Sequence, residues 1–237
     1  MNPLENISIG QIVAEDYRAA EIFNRYNLDF CRDGSKTIIE ACEQPEQDAN
    51  AVLKELVALG ETDMRVDKYN RWPLDLLTDY IIDNHHEYTK PKVREIQTHA
   101  HKAVRVHGKT HPELDKIENA FVLLSIQLTN HMNKEERSLF PYIKKLAAGD
   151  LEAARAFRKE SEFDPVKMLE HDHDEVGTKL AEIRELSDNY TPPKDACTTC
   201  RILFKNLEAF EHDMRKHIHL ENNILFPKTV ELEQRLN

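Results

Sequence analysis

Glycine is scarce in this sequence, with six in 237 residues. A β-rich chain with many tight turns needs more, because glycine alone takes left-handed backbone without steric cost. Cysteine is scarce too: four residues make no disulfide framework in a chain of this length. No apolar run approaches the roughly 20 residues that span a bilayer. The N-terminus, MNPLENISIG, lacks the basic-then-apolar pattern of a secretory signal. Positive charge is outweighed, 32 basic against 43 acidic side chains for a net of −11, which argues against general binding to nucleic acid or to an anionic membrane surface. These absences point to an all-α, cytoplasmic protein. Hydrophobic residues make up 40% of the chain, enough for a real core. Histidine is the residue in excess, with twelve.

Ser8 with Gln11 has the form of a capping box, and Tyr17, Ala20, Phe23 and Tyr26 follow at helical spacing. The turn Cys31-Arg32-Asp33-Gly34 interrupts the pattern, and the apolar residues from Ile38 to Leu59 predict two further short helices. Residues 1–60 are therefore expected to form a small helical domain, 61–72 a linker, and 73–237 an up-and-down four-helix bundle. The first bundle helix starts near Pro73 and meets Pro91, which should kink or break it. The second is predicted from about Pro112 to Lys145, and the third from Asp164-Pro165. The fourth follows Thr191-Pro192-Pro193 and runs to about Pro227.

The chemistry lies in a repeat. His131, Glu135, Leu139, Phe140 and Pro141 match His217, Glu221, Leu225, Phe226 and Pro227, so the pattern H-x3-E-x3-L-F-P occurs twice. His86 and His173 repeat at nearly the same interval, each followed by an acid, Glu87 and Asp174. The apolar stripe Ile117, Phe121, Leu124, Leu128 continues in phase through His131 and Glu135. Leu203, Leu207, Phe210, Met214 likewise continue through His217 and Glu221, and Val166, Leu169 through His173. These polar residues fall on faces that should be buried. Core histidines each paired with a glutamate one turn away are the plain alternative, but a buried carboxylate without compensation costs on the order of several kcal/mol. A bound cation removes that cost. Imidazole with carboxylate suits iron, manganese or zinc. Six ligands exceed the needs of one tetrahedral zinc, and two carboxylates able to bridge fit a dinuclear site.

The chain resembles the iron-sulfur cluster repair di-iron proteins, which join an ScdA-type N-terminal domain to a hemerythrin-like bundle. The residues that carry this are Asp29-Phe30-Cys31, Arg105-Val106-His107-Gly108, His131 to Glu136, His173-Asp174-Glu175, Pro192 to Cys197 and Leu220-Glu221-Asn222-Asn223. The resemblance implies that His86, His131, Glu135, His173, His217 and Glu221 hold two non-haem irons with an oxo or hydroxo bridge, Glu135 and Glu221 bridging. It also implies repair of clusters damaged by nitrosative and oxidative stress, through iron supply or nitric oxide removal, with damaged iron-sulfur proteins, nitric oxide and oxygen as partners and a homodimer as an assembly. Nitric oxide reduction at the centre is the enzymatic version. Binding or sensing of oxygen or nitric oxide, without repair, is the competing function. The family's N-terminal domain commonly has two adjacent cysteines and then two glycines; here one of each stands, which puts any role for a vicinal pair in doubt.

His85 competes with His86. It continues the stripe Leu74, Leu77, Ile81, whereas the internal repeat and the resemblance favour His86. His99, His101, His107 and His111 are expected at a solvated helix end, and His212 and His219 to be exposed off the ligand face. Cys197-Thr198-Thr199-Cys200 is a lone CxxC, expected to pack at a helix start, with a redox role open because helix N-termini lower thiol pKa values. Cys42 is expected in the core, and Cys31 beside Arg32 is the candidate reactive thiol. None of the six ligands comes from residues 1–60, so the bundle is expected to fold and bind metal without them.

Overall fold

A computed structural model describes residues 3–42, 47–60, 69–152 and 165–236; residues 61–68 of the expected linker, and Asp164, lie outside them. The chain forms two compact units, Met1–Leu77 with Ile218–Asn237, and Thr78–His217. All regular elements among the described residues are helical, and no helix among them is long and apolar enough to cross a membrane.

The first unit contains α1 (Ile9–Glu15), α2 (Ala19–Arg25), α3 (Ile38–Ala41) and α4 (Ala49–Gly60). Ser8 caps α1, its Oγ accepting from the Gln11 amide at 3.3 Å while Gln11 Oε1 accepts from the Ser8 amide at 3.4 Å. Thr37 and Glu40 repeat the device on α3, satisfying helix-end amides that have no partner within the helix. Ile9, Phe23, Phe30, Ile38 and Val52 are fully buried. Cys42 is only half-buried, because it caps the short α3 where the helix ends.

Residues 218–237 belong to this unit. The Asn223 amide donates to the Phe30 carbonyl at 3.1 Å and bonds His219 Nδ1 at 3.0 Å. Two glycines make room for it: a Cβ on Gly10 or Gly34 would lie 2.3 or 2.2 Å from Asn223 Oδ1. His219 is buried, contrary to the expectation of an exposed side chain. It turns from the ligand face but sits against Phe30 at 5.7 Å and Tyr17 at 5.9 Å between ring centroids. Helical phase located its face correctly; only the N-terminal residues reveal what covers it.

The second unit is a four-helix bundle. A helix begins at α5 (Leu74–Ile81), and α6 (Glu87–His107), α7 (Glu113–Lys134), α8 (Phe140–Ala147), α9 (Pro165–Leu186) and α10 (Thr198–Leu220, up to His217) follow; α11 (Phe226–Leu236) belongs to the first unit. Cross-helix pairs fix an up-down-up-down order. Gln97 meets Ser125 and His101 meets Glu118, so α6 and α7 are antiparallel. Lys134 and His131 meet Asp172, and Gln127 meets Glu175, so α7 and α9 are too. Arg184 pairs with Glu211 across α9 and α10. The predicted stripes are the core: Ile117, Phe121, Leu124, Leu128, Val176, Leu180, Leu203, Leu207, Phe210 and Met214 are all buried.

Among the described residues, three π turns interrupt the α-helices, at Ile82–His86, Glu135–Leu139 and Glu221–Leu225. A π turn carries an extra residue and re-aims the side chains downstream of it. Pro141 and Pro227 cannot donate to the carbonyls four residues back. Those carbonyls, on Arg137 and Asn223, lie in π turns where the α ladder is already broken, so the final Leu-Phe-Pro of each repeat is compatible with continuing helix. The fourth helical run accordingly passes Pro227 and ends at Leu236. Pro91 does not break the first run either. It lies inside α6, and the departure from α geometry is the π turn just upstream.

Candidate metal centre

His86 ends the first π turn, and Glu135 and Glu221 each begin one. His131 and His217 stand one α turn before those glutamates, and His173 lies within α9. All six side chains are buried, at 2% exposure or less. Within the bundle unit five of them form two groups that share a carboxylate, His86 with Glu135 and His217, and His131 with Glu135 and His173. In each group the ligand atoms lie within 4.8 Å of one another. His86 Nε2 is 3.3 Å and His131 Nε2 3.0 Å from opposite oxygens of Glu135. His131 Nε2 faces His173 Nε2 at 3.0 Å, and His217 Nε2 is 4.0 Å from Glu135.

The donor set fits a cation. Four imidazole nitrogens crowd one buried carboxylate, at the ligand types that iron, manganese and zinc accept. Two of the outer nitrogens have carboxylate partners, which settles the tautomers of His86 and His131. His86 Nδ1 is 2.8 Å from Glu136 Oε1, and His131 Nδ1 is 3.4 Å from Asp172 Oδ2. A carboxylate only accepts, so Nδ1 carries the proton and the Nε2 lone pair points into the group. Both outer acids stay ionised. Burial alone would raise Glu136, but the bonds from His86 and Lys90 outweigh it and lower its pKa. The bond from His131, with help from Lys134, holds Asp172 down at about 2. Residue-level reading missed both acids, although each is the sequence neighbour of a ligand, Glu135 or His173.

His85 is also buried but stands outside these groups. Its Nδ1 meets Asp213 Oδ1 at 3.0 Å, its ring stacks on His217 at 5.7 Å, and burial lowers its pKa. His171 and His212 are exposed. His99 and His101 lie within α6 and not at its end, while His107 and His111 flank the turn after it. Cys31 is buried; its amide donates to Asp29 Oδ1 at 3.2 Å and its carbonyl accepts from Asn222 at 3.4 Å.

Residues 77–229 match the hemerythrin HHE cation binding domain, and residues 5–60 match ScdA_N, a domain of unknown function. The chain belongs to the hemerythrin HHE family. It is similar to an "Iron-sulfur cluster repair protein YtfE" of Cronobacter sakazakii, 35% identical over 222 residues, which cover 94% of this chain and 95% of that protein. Proteins of the same name from Yersinia pestis and Yersinia pseudotuberculosis are each 33% identical over 227 residues, covering 95% of this chain and 97% of theirs. A hemerythrin HHE domain binds a metal cation, and the cluster around Glu135 is where this chain can hold iron.

Proposed function

We propose that the chain is a di-iron protein that repairs iron-sulfur clusters damaged by nitrosative and oxidative stress. The observation that carries the reading is the pair of buried donor groups sharing Glu135. In this proposal His86 and His217 hold one iron and His131 and His173 the other. Glu135 would be shared by both, and Glu221, one turn beyond His217 on the same helical run, would be the second shared carboxylate. An iron pair supplies open coordination positions and one-electron chemistry. The protein's own contribution is the orientation of the His86 and His131 imidazoles by outer carboxylates and the exclusion of water by a packed core.

The full-length relatives named for cluster repair, and the ScdA_N match at residues 5–60, support repair over simple oxygen or nitric oxide carriage. The partners are then damaged iron-sulfur proteins and small diatomic ligands, and the setting is the cytoplasm, with a homodimer as the assembly. Metal analysis with Mössbauer spectroscopy on anaerobically purified protein should find a coupled pair of irons per chain. Iron-replete protein that stably holds a single zinc refutes the reading. Cells lacking the protein, challenged with nitric oxide, should recover aconitase activity slowly, and the wild-type gene should restore the rate. Equal recovery with and without the protein overturns the repair role.

A further inference from the structure

At the end of the bundle where α10 starts, a second group of reactive side chains has no part in the metal centre. Cys197 directly precedes Thr198, the first residue of α10, and Cys200 is the third. At about 1.5 Å of rise per residue, the helix separates Cys197 from His217 by roughly 30 Å. Cys197 is half-buried and Cys200 fully buried. Cys197 stands at the N-terminal end of α10, its carbonyl accepting from the Arg201 amide at 3.0 Å. His107, the last residue of α6, reaches the same cysteine, its Nε2 accepting from the Cys197 amide at 3.4 Å. We propose that Cys197 and Cys200 are a redox-active dithiol, with Cys197 the accessible nucleophile at the start of α10 and Cys200, one turn on, the buried resolving thiol.

The electrostatics agree with that division. The Cys200 amide and then His107 lower the pKa of the Cys197 thiol, whereas burial raises that of Cys200. Nucleophilic thiols sit in such polar helix-start environments, and buried partners stay protonated until attacked. With a hydroperoxide as oxidant the chemistry balances. The Cys197 thiolate attacks the O–O bond, which breaks with protonation of the leaving oxygen, giving a sulfenic acid and water or an alcohol. The Cys200 sulfur then displaces hydroxide from that sulfenic acid, its proton leaving with the hydroxide as water, and a disulfide closes across one turn. Two electrons pass from the two thiols to the peroxide.

The sequence would also allow a zinc site, since Cys197-x2-Cys200 stands near His107-x3-His111. The geometry favours the dithiol. His111 Nδ1 is 3.0 Å from Glu113 and Nε2 is 2.9 Å from Asp195. Two acceptors require a proton on each nitrogen, so no lone pair remains for a metal. Among the described residues, the groups of donors close enough to share an ion do not include these four.

Full-length protein as purified is treated with hydrogen peroxide, alkylated, digested and mapped by mass. The peptide holding Cys197 and Cys200 should lose two hydrogens and resist alkylation until reduced. Cys197→Ser should leave Cys200 reduced and free to alkylate. Cys200→Ser should stop at a Cys197 sulfenic acid that dimedone traps; the wild-type map decides the matter even if this variant fails to fold. The proposal is overturned if peroxide spends itself on Cys31 or Cys42 while Cys197 and Cys200 still alkylate. It is equally overturned if zinc, removable by a chelator, already protects both thiols before oxidant is added.

Discussion

Gly10→Ala tests how the last 20 residues are held. Gly10 lies in the first turn of α1, and in open space the change would favour the helix by at most about 1 kcal/mol. The structure reverses the sign. The added methyl would stand 2.3 Å from Asn223 Oδ1 and 2.8 Å from the Gly34 carbonyl oxygen, both far inside contact. Overpacking of this kind costs about 1–3 kcal/mol. If Asn223 is expelled, its bonds to the Phe30 carbonyl and His219 are also lost, at about 1 kcal/mol each. The net should be a loss of about 2–3 kcal/mol, read by chemical denaturation with far-UV circular dichroism. Asn223→Ala alone should cost about 2 kcal/mol from the same two bonds. In the double variant the clash with Asn223 is gone and only the Gly34 carbonyl remains close, so the two costs should fall short of adding. A stabilised or neutral Gly10→Ala protein, or strict additivity, would refute the wedge of Asn223 between two glycines.

Glu135→Ala and Glu221→Ala should each lower bound iron or uncouple the pair in Mössbauer spectra. His219→Ala should instead lower stability, because His219 packs on Tyr17 and Phe30; loss of iron in His219→Ala with none in His217→Ala would contradict the helical phase. Deleting residues 1–60 removes the partners of Asn223 and His219, so the shortened chain should lose iron despite keeping all six proposed ligands, and full metal content would show that Glu221 needs no such support. Burial above all raises the Tyr190 phenol to about 12, and its hydroxyl donates to Glu211 at 2.5 Å. Below the free value of about 10 both states keep the proton; between about 10 and 12 the unfolded chain ionises first, so stability falls as pH rises. The fall is at most about 3 kcal/mol, less what solvent reaching the ring screens, and Tyr190→Phe should flatten it; an alkaline profile unchanged by that substitution would count against this.

The sequence by itself determined the helical class, the four bundle helices and the phase of the buried stripes. Local physics suffices there: a 3.6-residue period places Ile117, Phe121, Leu124, Leu128, His131 and Glu135 on one face, whatever that face meets. Capping at Ser8 is local for the same reason, since donor and acceptor lie three residues apart. Tertiary structure alone decided whatever depends on a partner remote in sequence. His85 and His86 both lie in a π turn that widens the helix enough to bury them together, and only the neighbouring helices send one to Asp213 and the other to Glu135. Asp172 and Glu136 gained their role from rings on other helices. His219 looked exposed because the bundle's own period leaves it outside, yet Phe30 and Tyr17, nearly 200 residues earlier, cover it. Periodicity specifies which face is apolar, but which surface arrives to bury it is fixed only when distant parts of the chain compete for that face.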